Sequence, residues 1–313
     1  MKTALIFPGQ GSQYVGMGKD LAERYREIAG LYEEADEVLG FRISRLSFQG
    51  DQDFLRETRN AQPAILLHSV AVCRLLTKDA GITPAIVAGH SLGEYSALVA
   101  AGVLDALDAL RIVRKRGELM YDAGLAQPGT MAAIMGLERE ACDEICRDVS
   151  GDRVVVVANI NSPRQVVVSG HVEAVEEAMT RATERGARKV VRLNVSGAFH
   201  SPLVTSAQEE LVSYMRTFTF NDAAVDVICN VDAAVIRKKD KIIDALSRQL
   251  TNPVLWSDSM KILLERWEGD IMEIGPGRVL AGLMRQIDRG RQVRTAGVAP
   301  EVERFVAPSI EVT

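Results

Sequence analysis

"IVAGHSLGEYSALVAAG", residues 86–102, is an apolar run that breaks at a glycine-bounded turn and resumes with the spacing of a helix. The turn "GHSLG" fits the pattern G-x-S-x-G, with a buried strand before it and a helix after it. In that setting the chain turns so tightly that the serine hydroxyl stands above the carboxyl end of the strand. The pattern predicts that Ser91 is a nucleophile. The alternative, a serine that only caps the helix, leaves both glycines unexplained.

Strands alternate with helices on both sides of this turn. "TALIFPG" (3–9) and "PAIVAGH" (84–90) are typical of buried strands, and "AILLHSVAVCRLLTKDAG" (64–81) predicts a helix that ends at Gly81. The alternation resumes near the end of the chain with "DVICNV", a helix at about 240–250, "SMKILLERWEG", "DIMEIG" and "RVLAGLMRQI". Such alternation predicts a mostly parallel sheet that is covered on both faces.

The pattern between these two parts is different. Residues 129–195 predict the order β-α-β-β-α-β, which is that of a ferredoxin-like unit. We therefore predict a large α/β domain of residues 1–124 and 198–313, interrupted by a small subdomain of residues 125–197. A cleft between two such units is a preferred place for a ligand site.

Composition excludes several classes of function. The net charge is −5 and no basic block stands out, which argues against nucleic-acid or anionic-membrane binding. The 4 cysteines are scattered without the spacing of a metal site, and so few fit a reducing compartment. The first apolar run is too short for a signal peptide, and no uncharged apolar run reaches about 18 residues. These features predict a cytoplasmic protein.

A nucleophilic serine needs a base, and the chain has 4 histidines. His90 is adjacent to Ser91 in the chain and points away from it, and His68 lies within an apolar helix. His171 opens a helix of the small unit, where capping or exposure is expected. His200, in the Gly/Pro-bounded loop "VSGAFHSPLV", follows the return from the small unit to the large one. Elimination favours His200, because a loop at a domain boundary can reach the cleft.

No acid is placed to complete a triad with these two residues, because the inserted unit occupies most of the chain between them. The imidazole N–H needs only an acceptor, so a backbone carbonyl would suffice. The loop "FPGQGSQYVGMG" after the first strand fails the dinucleotide pattern, since Tyr14 stands where the third glycine is required. A nicotinamide site is not expected, but this loop can still lend a second N–H to an oxyanion, from Gln10.

Arg116 lies on the apolar face of the predicted helix "LRIVRKRGELMYDAG", together with Val113 and Met120. A buried arginine requires an anion, because an unpaired buried charge is costly. Two alternatives are open for this anion. It is either the carboxylate of an internal salt bridge, or the carboxylate of a substrate that the guanidinium holds with two hydrogen bonds.

Six motifs in order, "FPGQGSQ", "GHSLGEYSAL", "KRGELM", "FHSPLV", "QLTNPVLW" and "EIGPG", resemble the malonyl-CoA:acyl-carrier-protein transacylase family. The acyltransferase domains of polyketide synthases are similar. The resemblance covers nearly the whole chain, except a segment after about residue 290 to which we assign no role. It implies a hydrolase-like α/β domain with a ferredoxin-like insertion, and it implies malonyl transfer in two steps through an acyl-serine.

The resemblance also implies roles for individual residues. Ser91 would carry the malonyl ester, His200 would be its base, and the backbone N–H groups of Gln10 and Leu92 would form the oxyanion hole. Arg116 would bind the malonyl carboxylate.

Two further residues follow from the resemblance. Gln249 matches the glutamine whose main-chain carbonyl orients the histidine, and Asn161 falls where the small unit faces the site. Leu92 and the "FHS" sequence are typical of malonyl rather than methylmalonyl selection.

The implied substrates are malonyl-CoA and acyl carrier protein, with no metal or redox cofactor, for fatty-acid synthesis by a monomer. Because carrier proteins are acidic, we expect a modest basic patch at the cleft mouth, with Lys115, Arg188 and Lys189 as candidates. Three alternatives are a stand-alone acyltransferase of a polyketide pathway, a serine hydrolase with the same elbow, and an inactive carrier-binding scaffold.

Overall fold

The computed structural model describes residues 1–306 of the chain, which form two β-sheets with helices packed on them. The strands are β1 (Lys2–Phe7), β2 (Thr83–Gly89), β3 (Gly129–Met135), β4 (Val155–Ser162), β5 (Gln165–His171), β6 (Lys189–Arg192), β7 (Asp226–Ile228), β8 (Val235–Ile236), β9 (Ile271–Ile274) and β10 (Val293–Ala296). The helices are α1 (Lys19–Arg24), α2 (Arg26–Leu39), α3 (Ile43–Gln49), α4 (Gln52–Arg56), α5 (Thr58–Lys78), α6 (Gly93–Ala100), α7 (Ala106–Ala126), α8 (Arg139–Ser150), α9 (Val172–Glu184), α10 (Thr205–Met215), α11 (Lys239–Gln249), α12 (Trp256–Arg266), α13 (Val279–Ile287) and α14 (Ala299–Val302). A 3₁₀ turn covers Pro202–Val204.

The larger sheet has the strand order β10-β9-β1-β2-β7-β8. Its strands pair in parallel, except that β8 runs antiparallel to β7. Successive side chains of β1 enter two different cores, Leu5 and Phe7 on one face of the sheet and Ala4 and Ile6 on the other. Because both faces are buried, the strand is apolar without alternation, which is the pattern that predicted a covered parallel sheet.

The smaller sheet is antiparallel, in the order β4-β5-β3-β6, and α8 and α9 pack on one of its faces. Its connection β3-α8-β4-β5-α9-β6 is the predicted ferredoxin-like order. The predicted fold class, a mostly parallel α/β domain with a ferredoxin-like insertion, is therefore confirmed. The exact residue bounds of the two domains stay a prediction.

Backbone hydrogen bonds join the smaller sheet to the large domain. The N–H of Val254, just before α12, donates to the carbonyl of Ala158 at 2.9 Å, and the N–H of Ile160 donates to the Val254 carbonyl at 2.9 Å. These bonds form a parallel bridge between β4 and a segment of the large domain. The cleft beside this bridge therefore has walls that are held in register by the backbone.

The helix predicted over 64–81 differs at both ends. It begins at Thr58 and ends at Lys78, so Gly81 follows the helix rather than ending it. Pro63 lies inside the helix and cannot donate to the Arg59 carbonyl. That carbonyl instead accepts a hydrogen bond from Nη1 of Arg114 at 2.7 Å. A side chain from α7 thus satisfies the acceptor that the proline leaves free.

The segment after residue 290, to which we assigned no role, contributes to the large sheet. Its strand β10 pairs in parallel with β9, and its helix α14 follows. Only one of the four β10 side chains is buried, so no apolar run marked this strand. Residues 307–313 of the same segment lie outside the part of the chain that the structure describes. Among residues 1–306, no helix is both long and apolar enough to span a bilayer.

Candidate active site

The turn between β2 and α6 has the geometry of a nucleophile elbow. Ser91 has a positive φ of 50°, a conformation that costs energy for a residue other than glycine. A Cβ on Gly89 would lie 1.9 Å from the backbone carbon of Gly93, and a Cβ on Gly93 would lie 2.1 Å from the carbonyl oxygen of Phe7. Neither position accepts a side chain, which explains the glycine on each side of the serine.

Ser91 and His200 lie in direct contact across the cleft. Ser91 Oγ is 2.8 Å from Nε2 of His200, and Nδ1 of His200 is 2.9 Å from the carbonyl oxygen of Gln249. Burial, and after it the nearby positive charge of Arg116, lowers the pKa of His200 to about 3. The imidazole is therefore neutral at physiological pH. Its Nδ1–H donates to the carbonyl, which leaves Nε2 free to accept the hydroxyl proton.

Arg116 projects from α7 toward the same hydroxyl and is fully buried. Its Nη1 donates to Gln62 Oε1 at 2.6 Å, while its Nη2 donates to Gln249 Oε1 at 3.0 Å and to Ser91 Oγ at 3.1 Å. Every partner is uncharged, and within residues 1–306 no carboxylate lies within 4.0 Å of the guanidinium. The internal salt bridge that was the alternative is therefore absent from this part of the chain. A buried charge that forms no direct ion pair with the described residues is suited to an anionic substrate.

A cavity of about 310 Å³ opens above these residues, between the two sheets. Gln10 and Leu92 line it, and neither backbone N–H meets an acceptor among the described residues, so both are available to a substrate oxygen. Asn161 enters from β4, and its Oδ1 lies 2.8 Å from Nε2 of His90. All seven residues predicted for the site thus lie together: Gln10, Ser91, Leu92, Arg116, Asn161, His200 and Gln249.

Two of the other histidines lie elsewhere, whereas His90 lines the cavity. His68 is buried in α5 with its Nε2 2.8 Å from the Gly297 carbonyl, and Nδ1 of His171 accepts the backbone N–H of Val154 at 2.8 Å. Neither histidine lines the cavity. Lys115 forms an ion pair with Glu210 at 2.6 Å, so it is a poor candidate for a free basic patch.

Three buried polar residues at the site escaped sequence reasoning. Gln62 binds Arg116, Asn230 binds the elbow through its side chain, and Glu94 accepts a hydrogen bond from Gln249 Nε2 at 2.7 Å. Burial raises the pKa of Glu94 to about 7. Glu94 directly follows the G-x-S-x-G pattern, and that adjacency was a usable signal. The other two lie far away in the sequence and carry no local pattern.

A serine on a strand-to-helix elbow, in contact with a neutral histidine and beside an arginine that forms no ion pair among residues 1–306, defines the class of serine-dependent acyl-transferring enzymes. A family model described as "Acyl transferase domain" matches residues 4–307. The chain belongs to the malonyl CoA-acyl carrier protein transacylase family. It is 46% identical to the Bacillus subtilis malonyl CoA-acyl carrier protein transacylase over 92% of this chain and 91% of that protein. The Staphylococcus aureus protein of that name is 43% identical, over 92% and 93%.

Solved structures agree with this assignment. An acyl carrier protein S-malonyltransferase from Vibrio cholerae superposes with a TM-score of 0.93 at 41% identity, covering 97% of this chain and 99% of that one. A malonyl-transacylase described in complex with a type II polyketide acyl-carrier protein also superposes with a TM-score of 0.93, at 38% identity over 98% and 99% of the two chains.

Proposed function

We propose that this protein transfers a malonyl group from malonyl-CoA to the thiol of an acyl carrier protein, through a malonyl ester on Ser91. The observation that carries the proposal is the buried guanidinium of Arg116, which has no charged partner among residues 1–306 and lies 3.1 Å from the Ser91 hydroxyl. A carboxylate at that point would supply the missing counter-ion. The names of the relatives describe the same reaction, and one similar structure holds an acyl carrier protein.

In the first half-reaction, Nε2 of His200 takes the Ser91 proton while Oγ attacks the thioester carbonyl. The N–H groups of Gln10 and Leu92 stabilise the oxyanion. The C–S bond then breaks, and His200 returns its proton to the departing thiolate of coenzyme A. In the second half-reaction the carrier thiol gives its proton to His200 and attacks the ester, and Ser91 leaves as the hydroxyl.

Selection for malonyl follows from the same arginine. The malonyl carboxylate pairs with Arg116, whereas an acetyl group leaves that charge buried and unpaired. An unpaired buried charge costs about 3 kcal/mol or more, which corresponds to a discrimination of about 100-fold or more. Each step uses side chains and backbone N–H groups, so we propose that the reaction needs no metal or redox cofactor.

The carrier protein is proposed to approach one end of the small sheet, where the β4–β5 turn lies beside the start of β6; we call this end the basic edge. The backbone N–H of Gly136 donates to the Arg164 carbonyl at 2.8 Å, and the N–H of Arg188 donates to the Met135 carbonyl at 2.7 Å. Arg164, Arg188 and the adjacent Lys189 are therefore neighbours, and all three are exposed without ion pairs among residues 1–306. Gln165, next to Arg164, lines the cavity. This basic edge suits an acidic partner.

Intact-mass measurement after mixing with malonyl-CoA, methylmalonyl-CoA or acetyl-CoA tests the proposal. We expect a malonyl adduct that disappears on addition of carrier protein and is absent from the Ser91→Ala variant. Hydrolysis of malonyl-CoA as fast as its transfer to the carrier would favour a hydrolase instead. The monomeric state, the cytoplasmic location and a role in fatty-acid rather than polyketide synthesis stay predictions from the sequence.

A further inference from the structure

Asn230 follows β7 at the point where that strand leaves the large sheet. The pairing of β7 with β2 ends with Ile228 opposite Ala88, and continuing that register places Asn230 opposite His90. The backbone of Asn230 no longer takes part in the sheet. Its carbonyl instead accepts the N–H of Leu255 at 3.0 Å.

The side chain of Asn230 makes the two bonds that its backbone does not. Its Nδ2 donates to the carbonyl of Gly89 at 2.7 Å, and its Oδ1 accepts the N–H of Ser91 at 2.7 Å. In a parallel pair of strands, the backbone N–H of one residue donates to the carbonyl of the residue before its opposite partner. Its carbonyl accepts the N–H of the residue after that partner. The carboxamide of Asn230 therefore stands in for a peptide group of β7, opposite His90.

We propose that Asn230 is a positioning residue for the nucleophile: its side-chain amide extends the sheet by one step and holds Ser91 in its strained conformation. This inference rests on the proposed function, since it concerns the residue that carries the acyl group. Without the amide, the half-buried N–H of Ser91 and the buried carbonyl of Gly89 would lose their partners. The φ of 50° at Ser91, which aims Oγ at His200, would lose its support.

A second set of bonds holds Asn230 itself in place. Its backbone N–H donates to Glu94 Oε2 at 3.3 Å, and the same oxygen accepts Gln249 Nε2 at 2.7 Å. Nε2 of Gln249 also donates to the carbonyl of Ser91 at 3.0 Å. The elbow is thus fixed on both sides of the nucleophile, by Asn230 at the N–H and by Gln249 at the carbonyl.

The test uses two substitutions with opposite hydrogen-bonding properties. Asn230→Leu keeps the branched skeleton of the side chain, with the same number of heavy atoms, and removes both bonds. Asn230→Asp keeps the acceptor for the Ser91 N–H, but its ionised form turns a second oxygen toward the Gly89 carbonyl. Once protonated, the aspartic acid donates to that carbonyl and reproduces the asparagine. The titratable groups around it are Glu94 on α6, Arg116 on α7, His90 and His200 in the cleft, and Cys229 and Asp232 on its own segment.

The readout is the rate of malonyl-Ser91 formation at saturating malonyl-CoA, from pH 5.5 to 8.5. We expect Asn230→Leu to lower this rate about 100-fold at every pH, with KM within about threefold of the unchanged protein. Asn230→Asp should come within about tenfold of the unchanged protein at pH 5.5 and fall at least a further tenfold by pH 8.5. Leucine and aspartate at the exposed Asn221, which lies ahead of β7, serve as matched controls and should have no effect.

Each outcome decides the inference. Acylation of Asn230→Leu within threefold of the unchanged protein would overturn it and leave the proposed function intact. An Asn230→Asp variant whose loss does not change with pH would contradict the peptide-like role even if Asn230→Leu is poorly folded. Absence of the malonyl adduct from the unchanged protein would overturn the proposed function together with this inference.

Discussion

Arg116 concentrates the selectivity of the site in one side chain. Its guanidinium is buried beside the nucleophile, and its partners among the described residues are neutral oxygens. We predict that Arg116→Ala lowers malonyl transfer about 1,000-fold and changes acetyl transfer less than about tenfold, because only malonyl has a carboxylate to lose. Single-turnover acylation with both thioesters measures the two effects.

Arg111 is the matched control for that experiment. It lies on the same helix and pairs with Asp108 at 2.9 Å. Arg111→Ala should leave both transfers unchanged. An equal loss of malonyl and acetyl transfer in Arg116→Ala would show that Arg116 is structural and would remove the main support for the proposed substrate.

The lowered pKa of His200 leads to a second prediction, which concerns the pH dependence of acylation. Burial and the positive charge of Arg116 hold its pKa near 3 in the free protein, so the base stays neutral as the pH falls well below 6.5. The value of kcat/KM for acylation, which reports the free protein, should stay flat from pH 8 to about 5. A bound malonyl carboxylate offsets the arginine charge and raises the pKa of His200, so kcat should decline at a higher pH than kcat/KM does.

The Arg116→Ala variant provides the control for this pH profile. Without the arginine charge, the pKa of His200 should rise, and the acid limb of kcat/KM should move to higher pH. A kcat/KM that falls with a midpoint near 6.5 in the unchanged protein would mean that the imidazole is exposed to water in solution. Such a result would contradict the buried geometry.

At the scale of single elements, helix α7 approaches α5 closely at Gly117, the residue after Arg116. A Cβ on Gly117 would lie 2.8 Å from the Cα of Arg59, so the two helices meet backbone to backbone there. Gly30, in α2, faces open space. We predict that Gly30→Ala stabilises the fold by about 0.5–1 kcal/mol, because alanine loses less backbone entropy on folding.

The contrasting substitution is Gly117→Ala. It forces α5 and α7 apart and should destabilise the fold by about 2 kcal/mol or more. Urea unfolding of both variants measures the two free energies. Similar values for the two variants would show that the contact between the helices yields easily to an added methyl group.

The local sequence pattern was sufficient to predict the elbow, but not the distant residues whose side chains hold it. The pentapeptide at 89–93 predicted Ser91 because its chemistry and its turn lie within one short stretch. Asn230 bonds to that turn from far along the chain, and no periodicity marks a side chain that replaces a peptide group. Gln249 and Asn161 were reached only through resemblance, for the same reason. Reacting residues are therefore easier to predict from the sequence than the residues that hold them in place.

At the scale of the whole molecule, the order of strands and helices along the chain predicted both sheets and the insertion of the smaller one into the larger domain. It missed β8 and β10 because short strands at a sheet edge are only partly buried and have no continuous apolar run. The start of α5 was missed because Pro63 resembles a helix boundary, while the compensating bond comes from another helix. Such compensation exists only after the chain has folded.

The distribution of charge over the molecule leads to a prediction about how the carrier protein binds. The net charge is −5, yet Arg164, Arg188 and Lys189 form a basic edge near the cleft. We predict that transfer to carrier protein slows about tenfold between 50 and 500 mM salt, whereas transfer to free pantetheine, which has no acidic surface, changes little. A flat salt dependence for the carrier protein would count against electrostatic docking.

The carbonyl that orients His200 has a consequence for the lifetime of the acyl-serine. A neutral carbonyl at 2.9 Å stabilises the imidazolium less than a carboxylate would, so the imidazole is a weak base. A thiol, whose pKa is about 8.5, gives up its proton to a weak base far more readily than water, whose pKa is about 15.7. The ester on Ser91 is therefore expected to hydrolyse slowly and to persist until the thiol of the carrier protein attacks it.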